Sequence, residues 1–530
     1  MKQDWQSLSL KEQIAQMIVF RASGYLFDHQ IRYPAWEASK AQLQKWLEEL
    51  NWGGVILLGG SSIERQKRSQ QLQSWANIPL LMAADIEEGI GQRFPGSTWF
   101  PPPMALGAIY AENSELALKY AADMGRITAE EAIALGINWI LAPVVDVNNN
   151  SNNPVINIRA FGESTGVVSA LSSAFIKGAK SYHVLTTAMH FPGHGDTATD
   201  SHLELPSLPH DDARLAAIEL PPIQTAISAG VDSVMTAHLL IPAWDKNKPA
   251  TLSTEIITKR LRKQLGFSGL VVTDALIMGG ITKYAPPEEV AVMAVEAGSD
   301  ILLMPDNPEI AIASIYDAVI SGKITTKRIE QSLERIWQAK YKVSSSGKMT
   351  SAVSNPQGRP TASSILRDSL KIANTPLILS VKSGSRNLIV VDDVLNASYL
   401  DINTPAIAIP QKLGYYRQIV DSNTINCIPL DSSPTILQIF IRGNPFRGNA
   451  GLTAKTKQIY QQLLSQGQIE GIVIYGSPYV LRWFESFIGD KVPLVFSYGQ
   501  MSQAQTIALK ALYGLNLDML QSNLQEDFGF

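Results

Sequence analysis

The chain has 530 residues, more than one ordinary domain needs, and its 45% apolar against 17% charged residues suit packed cores and exclude intrinsic disorder. Lys and Arg number 44 against 48 Asp and Glu, so no net field favours nucleic acid or an anionic membrane as a partner. The one cysteine, Cys427, excludes an intrachain disulfide and reads as a small buried hydrophobe in a reducing compartment.

From the N-terminus, Met1–Gln6 leads to Lys11 and Glu12 with no apolar h-region between, and no run is long enough to span a bilayer. The expectation is a cytoplasmic protein without a membrane or nucleic-acid partner. Short apolar, β-branched runs then recur at Met17–Phe20, Gly54–Leu58, Leu80–Ala84, Trp139–Ala142, Thr186–Met189, Ser233–Ala237, Leu270–Thr273 and Ile301–Met304. Helical patterns alternate with them, at Trp36–Leu50, Ile63–Trp75, Glu115–Ala134, Ser164–Ser181, Asp211–Ser228, Thr254–Gln264, Glu288–Ala297 and Glu309–Val319. Eight strand–helix pairs predict an α/β chain whose residues 1–343 close into a (β/α)8 TIM barrel. Residues 344–364, rich in Ser, Gly, Pro and Thr, read as a linker. Residues 365–530 read as a smaller α/β sandwich domain. Its expected strands are Leu377–Val381, Leu388–Val391, Ala406–Ile409, Ile436–Ile441, Gly471–Tyr475 and Leu494–Ser497, with helices at Lys457–Ser465 and Gln503–Leu512.

Four of the barrel strands run into reactive residues: Asp85, His190, His238 and Asp274. The C-terminal ends of barrel strands form the face where such enzymes build their sites, so the four point to one active site. The densest stretch is Met189-His190-Phe191-Pro192-Gly193-His194-Gly195-Asp196-Thr197, followed by Asp200-Ser201-His202. Three readings compete for it. A metal site would use His190, His194 and His202, but Pro192 and Gly193 break the helix that a His-x3-His pair needs, and His190 has no glutamate beside it. A structural reading, in which imidazoles tie the loop down, suits His194. The third makes Asp200 and His202 an acid/base dyad, since a carboxylate can orient an imidazole that exchanges protons near neutrality. Asp274, directly after a buried strand, sits on a rigid support as a nucleophile must; a helix N-cap is the competing reading.

The combination Met189–Gly195, Asp200–His202 and Asp274-Ala275-Leu276-Ile277-Met278 resembles glycoside hydrolase family 3, in particular its bacterial β-N-acetylglucosaminidase branch. Asp85-Ile86-Glu87-Glu88-Gly89-Ile90-Gly91-Gln92-Arg93, Ala142–Val147, Asn153–Ile156 and Arg159–Gly162 extend the likeness over residues 10 to 340, and the second domain resembles that of the two-domain members. The resemblance implies a retaining glycosidase that releases terminal β-linked N-acetylglucosamine from a small carbohydrate substrate, without cofactor or metal. It implies Asp274 as nucleophile, His202 as general acid/base and Asp200 as its orienting partner. Asp85, Arg93, Arg159 and His190 would hold the sugar, with Met189 and Met278 beside it. Position 189 departs from the branch, which has lysine there; Glu88 and Ile90 depart from its glycine-arginine pattern. A phosphorylase, a β-glucosidase-like enzyme and a non-catalytic sugar-binding protein remain as alternatives. Peptidoglycan fragments, chitin oligomers and small aryl glycosides all stay open as substrates.

Overall fold

The structure is a computed structural model describing residues 4–344, 352–374, 381–392, 397–429, 431–443, 446, 450–489 and 492–514. The chain divides into two compact units: the first runs to Thr361 and takes in Phe446, and the second begins at Ala362.

The first unit is the barrel. Its strands are β1 (Ile18–Ser23), β2 (Gly54–Leu58), β3 (Leu81–Ala84), β4 (Trp139–Ile140), β5 (Leu185–Phe191), β6 (Ser233–Thr236), β7 (Leu270–Thr273) and β8 (Leu302–Leu303). They pair in parallel in the order β7-β6-β5-β4-β3-β2-β1-β8, and a Val272–Ile301 bridge joins the two ends. β2, β3, β5 and β7 are buried at nearly every residue, the pattern of strands covered by helices on one side and a filled interior on the other. Helices lie on the expected segments, some of them with side-chain caps at their starts, and Met104–Glu112 and Thr326–Ser344 are helices beyond those expected. Ser61 and Glu64 form a reciprocal capping box on Ser62–Trp75, and Asn113 caps Ser114–Ala134. The segment expected as one helix over Asp211–Ser228 is two, Asp212–Ile218 and Leu220–Ser228, because Pro221 and Pro222 lack the N–H that continuation requires.

The second unit holds a six-stranded sheet: β9 (Lys371–Ala373), β10 (Arg386–Val391), β11 (Tyr416–Val420), β12 (Thr435–Ile441), β13 (Ile469–Gly476) and β14 (Leu494–Ser497), in the order β11-β10-β12-β13-β14-β9. All pairings are parallel except that of β9 on β14. Two expectations need correction. Ala406–Ile409 is not a strand but part of the helix Pro405–Lys412. Pro405 preorganises its first turn, while Ala406, Ile407 and Pro410 turn inward at helical spacing, a distinction that a short apolar run does not reveal. Cys427 is exposed, because the short 3-10 turn Ile425–Cys427 directs Ile425 and Ile428 inward and the thiol outward. Residues 377–380 of the first expected strand lie outside the described residues. Among the described residues, no helix is long and apolar enough to cross a membrane.

Candidate active site

The C-terminal ends of β3, β5, β6 and β7 present the residues expected there, with those of the loop after β4 beside them. Asp274 follows β7 directly; its N–H donates to the Thr236 carbonyl at 3.1 Å, and its Oδ1 accepts from the Ala275 N–H at 2.7 Å. Burial alone raises the carboxyl's pKa. His190, His238 and His202 around it and the Ala275 amide outweigh that, and hold it below the usual carboxylate range. Asp274 is therefore ionised near neutrality.

In His190 the charged form is favoured. Burial disfavours its charged form, but Asp146 Oδ2 stands 2.8 Å from Nδ1 and, with Asp274, raises the imidazole's pKa. Asp146 is held below its usual range by His190 and His194 despite its burial. His238 behaves oppositely. Its ring bonds Thr251 Oγ1 at 2.8 Å and the Ala275 carbonyl at 3.1 Å, and burial lowers its pKa.

On the β3 side, burial raises the Asp85 carboxyl, with Glu87 and Asp274 pushing the same way against Arg93 and Arg159. Arg93 donates from Nε to the Asp85 carbonyl at 3.1 Å. Arg159 is clamped by Glu87 through two bonds, Nε to Oε2 at 2.9 Å and Nη2 to Oε1 at 2.7 Å, which fixes the plane of its guanidinium. Of the two departures nearby, Glu88 is buried and accepts from Trp99 Nε1 at 2.9 Å, and Ile90 is buried. Met189 is only 1% exposed and packs in the barrel's apolar core; Met278 is 5% exposed.

The loop from Phe191 to His202 carries the Asp–His pair. His202 Nδ1 and its backbone N–H both meet Asp200 Oδ1 at 2.9 Å. The Asp200 side chain is 1% exposed and that of His202 19%, so the carboxylate is shielded while the imidazole reaches solvent. Burial would raise the Asp200 carboxyl, but His202 and the Phe446 N–H, 2.7 Å from Oδ2, hold it low.

Several contacts fix this loop. Asp146 Oδ1 accepts from the His194 N–H at 2.7 Å, and Asn153 Nδ2 donates to the carbonyls of His194 and Gly195 at 2.8 and 3.1 Å. A side chain at Gly195 would stand 1.8 Å from the Val147 carbonyl, so only glycine fits. His194 spends Nδ1 on Thr197 Oγ1 and Nε2 on Ser201 Oγ, at 2.7 and 2.9 Å, and burial takes its pKa down to about 4. It is a neutral strut, as the structural reading had it. Among the described residues no group of three or more His, Cys, Asp or Glu is arranged to hold a metal ion. The segment after Asp274 ties in as well: Gly279 and Gly280 donate their N–H groups to the carbonyls of His202 and Ser201 at 2.9 and 3.0 Å.

Sequence reasoning missed Glu87, Asp146, Asn153 and Phe446 as parts of this site. Glu87 and Asp146 lie inside the motifs quoted above, but their partners Arg159 and His190 are 72 and 44 residues away, a relation no local spacing carries.

Residues 9–339 match the model of the glycosyl hydrolase family 3 N-terminal domain. The chain belongs to glycoside hydrolase family 3. Residues 379–514 match the bacterial C-terminal domain of the same family. Among relatives of this family-3 chain, beta-hexosaminidase A of Pseudoalteromonas piscicida is 34% identical over 351 residues, which are 60% of this chain and 58% of that protein. A beta-N-acetylglucosaminidase/beta-glucosidase of Cellulomonas fimi is 31% identical over 301 residues, 54% of this chain and 52% of that protein. The chain thus spans less than two thirds of either. A solved structure, a family-3 beta-N-acetylglucosaminidase from Paenibacillus sp. str. FPU-7, superposes with a TM-score of 0.79 at 28% identity, covering 96% of this chain and 97% of that one.

Proposed function

We propose that this family-3 protein is a retaining glycosidase that releases terminal β-linked N-acetylglucosamine, with Asp274 as nucleophile and His202, oriented by Asp200, as general acid/base. The observation that carries the reading is the pairing of an ionised carboxylate at the end of β7 with an Asp–His dyad on a loop tied to that same segment through Gly279 and Gly280. Asp274 attacks the anomeric carbon while His202, its Nδ1 committed to Asp200, gives a proton from Nε2 to the departing oxygen. A water then loses its proton to Nε2 and displaces Asp274, so two inversions retain the β configuration. Asp85, Arg93, Arg159 and His190 hold sugar hydroxyls or the acetamide. The Glu87 clamp preorganises Arg159 for that task. Met189 and Met278 contribute shape. The names beta-hexosaminidase and beta-N-acetylglucosaminidase support N-acetylglucosamine in the site, and the Cellulomonas fimi relative's name joins beta-glucosidase to it. The substrate is a small glycoside, and the protein acts in the cytoplasm.

The test is product analysis with 4-nitrophenyl N-acetylglucosaminide, with and without phosphate. The reading expects free β-N-acetylglucosamine as first product in both. A glycosyl phosphate in the second arm makes the acceptor phosphate, and no turnover in either arm contradicts the proposal. His202→Ala should lose far more activity on substrates with poor leaving groups than on activated aryl glycosides, which need little protonation. Equal losses on both would count against His202 as the acid.

A further inference from the structure

Phe446 stands apart from the rest of the first unit in sequence, 246 positions after Asp200, yet its backbone N–H donates to Asp200 Oδ2 at 2.7 Å. The two oxygens of that carboxylate are thereby divided: Oδ1 serves His202 and Oδ2 serves Phe446. The ring of Phe446 lies 4.6 Å from the His202 imidazole, centroid to centroid, inclined at 56°. Its surroundings do not otherwise cover it, since 66% of the residue is exposed. Its φ is +72°, a conformation that costs a residue with a Cβ of order 1 kcal/mol or more, and such strain concentrates at functional sites. A bulky apolar ring is thus held, by its own backbone and in a strained conformation, in water beside the acid/base. Packing gain does not explain it, because the ring is mostly unpacked.

We infer that Phe446 is a specificity-determining contact for the leaving group, a flat apolar wall against which the first sugar ring beyond the cleaved bond rests. The inference builds on the proposed role of His202. The imidazole must reach the glycosidic oxygen, so whatever is bonded to that oxygen on the leaving side passes the outer side of His202. The exposed Phe446 ring lies 4.6 Å from that imidazole. The C–H face of a pyranose is apolar and flat, and an aromatic side chain suits it without demanding any particular hydroxyl pattern. Phenylalanine offers no donor or acceptor, so the contact selects for the presence of a ring, not for its identity. The backbone bond to Asp200 fixes the wall's position relative to the proton donor, so one carboxylate sets the place of both.

The experiment compares two substrates in steady-state kinetics. One is N,N′-diacetylchitobiose, whose leaving group is a sugar ring. The other is N-acetylglucosaminyl azide, whose leaving group is too small to reach the wall and needs no proton. Phe446→Ala keeps the backbone N–H and removes the ring. It should raise the ratio of KM for the disaccharide to KM for the azide by about three- to tenfold, and Phe446→Tyr should restore it. The backbone N–H to Asp200 and the Asp200–His202 bond are kept in Phe446→Ala. An unchanged ratio overturns the inference. So does a ratio that Phe446→Tyr fails to restore, since that would point to the loop and not to the ring. His202→Ala, measured alongside, separates the two claims. It should lose disaccharide turnover and keep azide turnover. If it keeps both, the acid/base assignment fails, while the KM ratio of Phe446→Ala still decides the leaving-group contact. Thermal melting of each variant checks that folding is unaffected, as an exposed ring predicts.

Discussion

Aspartates stand at both ends of the barrel strands, and of the four only Asp300 is fully buried. At the N-terminal ends, Asp232 precedes β6 and Asp300 precedes β8; at the C-terminal ends, Asp85 and Asp274 follow β3 and β7. Asp300 accepts from Ser332 Oγ at 2.8 Å, from the Val271 N–H at 3.0 Å, from Arg335 at 3.0 Å and from Arg262, with Arg328 at 3.6 Å. Asp232 accepts from the Thr186 N–H at 3.0 Å and from Lys342. These carboxylates are saturated by cations and amides fixed in helices and strands. Asp274, by contrast, takes one hydrogen bond from its own neighbour's amide and is otherwise kept charged by imidazoles near it. Charge that holds the fold together has its lone pairs occupied. On the proposed reading, the Asp274 charge is stabilised at a distance, with its oxygens left for a substrate.

That contrast can be broken most sharply by one substitution at each end. Asp274→Asn should abolish turnover and leave stability unchanged or raised, since a desolvated charge is removed. Asp300→Asn should leave the kinetic constants of the folded protein intact but destabilise it by roughly 3–5 kcal/mol, because three arginines lose their buried counter-ion. Denaturant midpoints and active-site-normalised kcat, measured on both, test the pair. If Asp300→Asn lowered kcat in the folded state, the floor would not be purely structural.

The second effect is steric. A side chain at Gly280 would stand 2.6 Å from the Ser201 carbonyl, and one at Gly279 would stand 2.7 Å from that of His202. Gly280→Ala should therefore push the dyad loop away from Asp274 and lower kcat by roughly 10- to 100-fold, with only a small change in melting temperature. A kcat within twofold of the parent would mean that the loop adjusts freely and that the two segments are not coupled.

The third concerns pH. His190 stays cationic above its ordinary range and helps to hold Asp274 ionised below its own. Activity that needs the Asp274 carboxylate is present above its lowered pKa and lost as pH falls through it. His190→Gln removes the cation, so the carboxyl takes up its proton at higher pH and the acid limb of kcat/KM should move up. A limb that stays in place would show that His190 does not act electrostatically on the Asp274 carboxylate.

The smallest effect belongs to Met189. A lysine there gains donors for sugar hydroxyls but places an ammonium in a site that is 1% exposed. Met189→Lys should tighten binding of free N-acetylglucosamine by about tenfold at some cost in stability. Calorimetric titration reads the first and a denaturation curve the second. Unchanged or weaker binding would show a pocket rebuilt around the thioether.

How much of this was legible beforehand depended on the range of each interaction. β2 and β7 coincide with the expected strands and the other barrel strands with them to within a few residues, because a buried parallel strand is a local apolar run. Asp85 and Asp274 were legible because they follow such runs at once, and Asp200–His202 because both partners lie within three residues. Glu87, Asp146 and Asn153 were not. Polar residues in loops are common, and only the fold shows that these bond Arg159, His190 and the His194–Gly195 backbone. Phe446 is the extreme case, since its segment has no motif and its partner is in another part of the chain. Ala406–Ile409 and Cys427 went astray for the same reason: four apolar residues or one thiol say little until their neighbours are in place.

The central claim is that Asp274 forms a covalent bond with the sugar. A mechanism-based fluorinated sugar that keeps the acetamide, followed by proteolysis and mass spectrometry, tests it directly. The account predicts one glycosylated peptide, containing Asp274, absent in Asp274→Asn. Labelling at Asp85, Glu87 or any other carboxylate, or turnover of the reagent without a trapped intermediate, would contradict it.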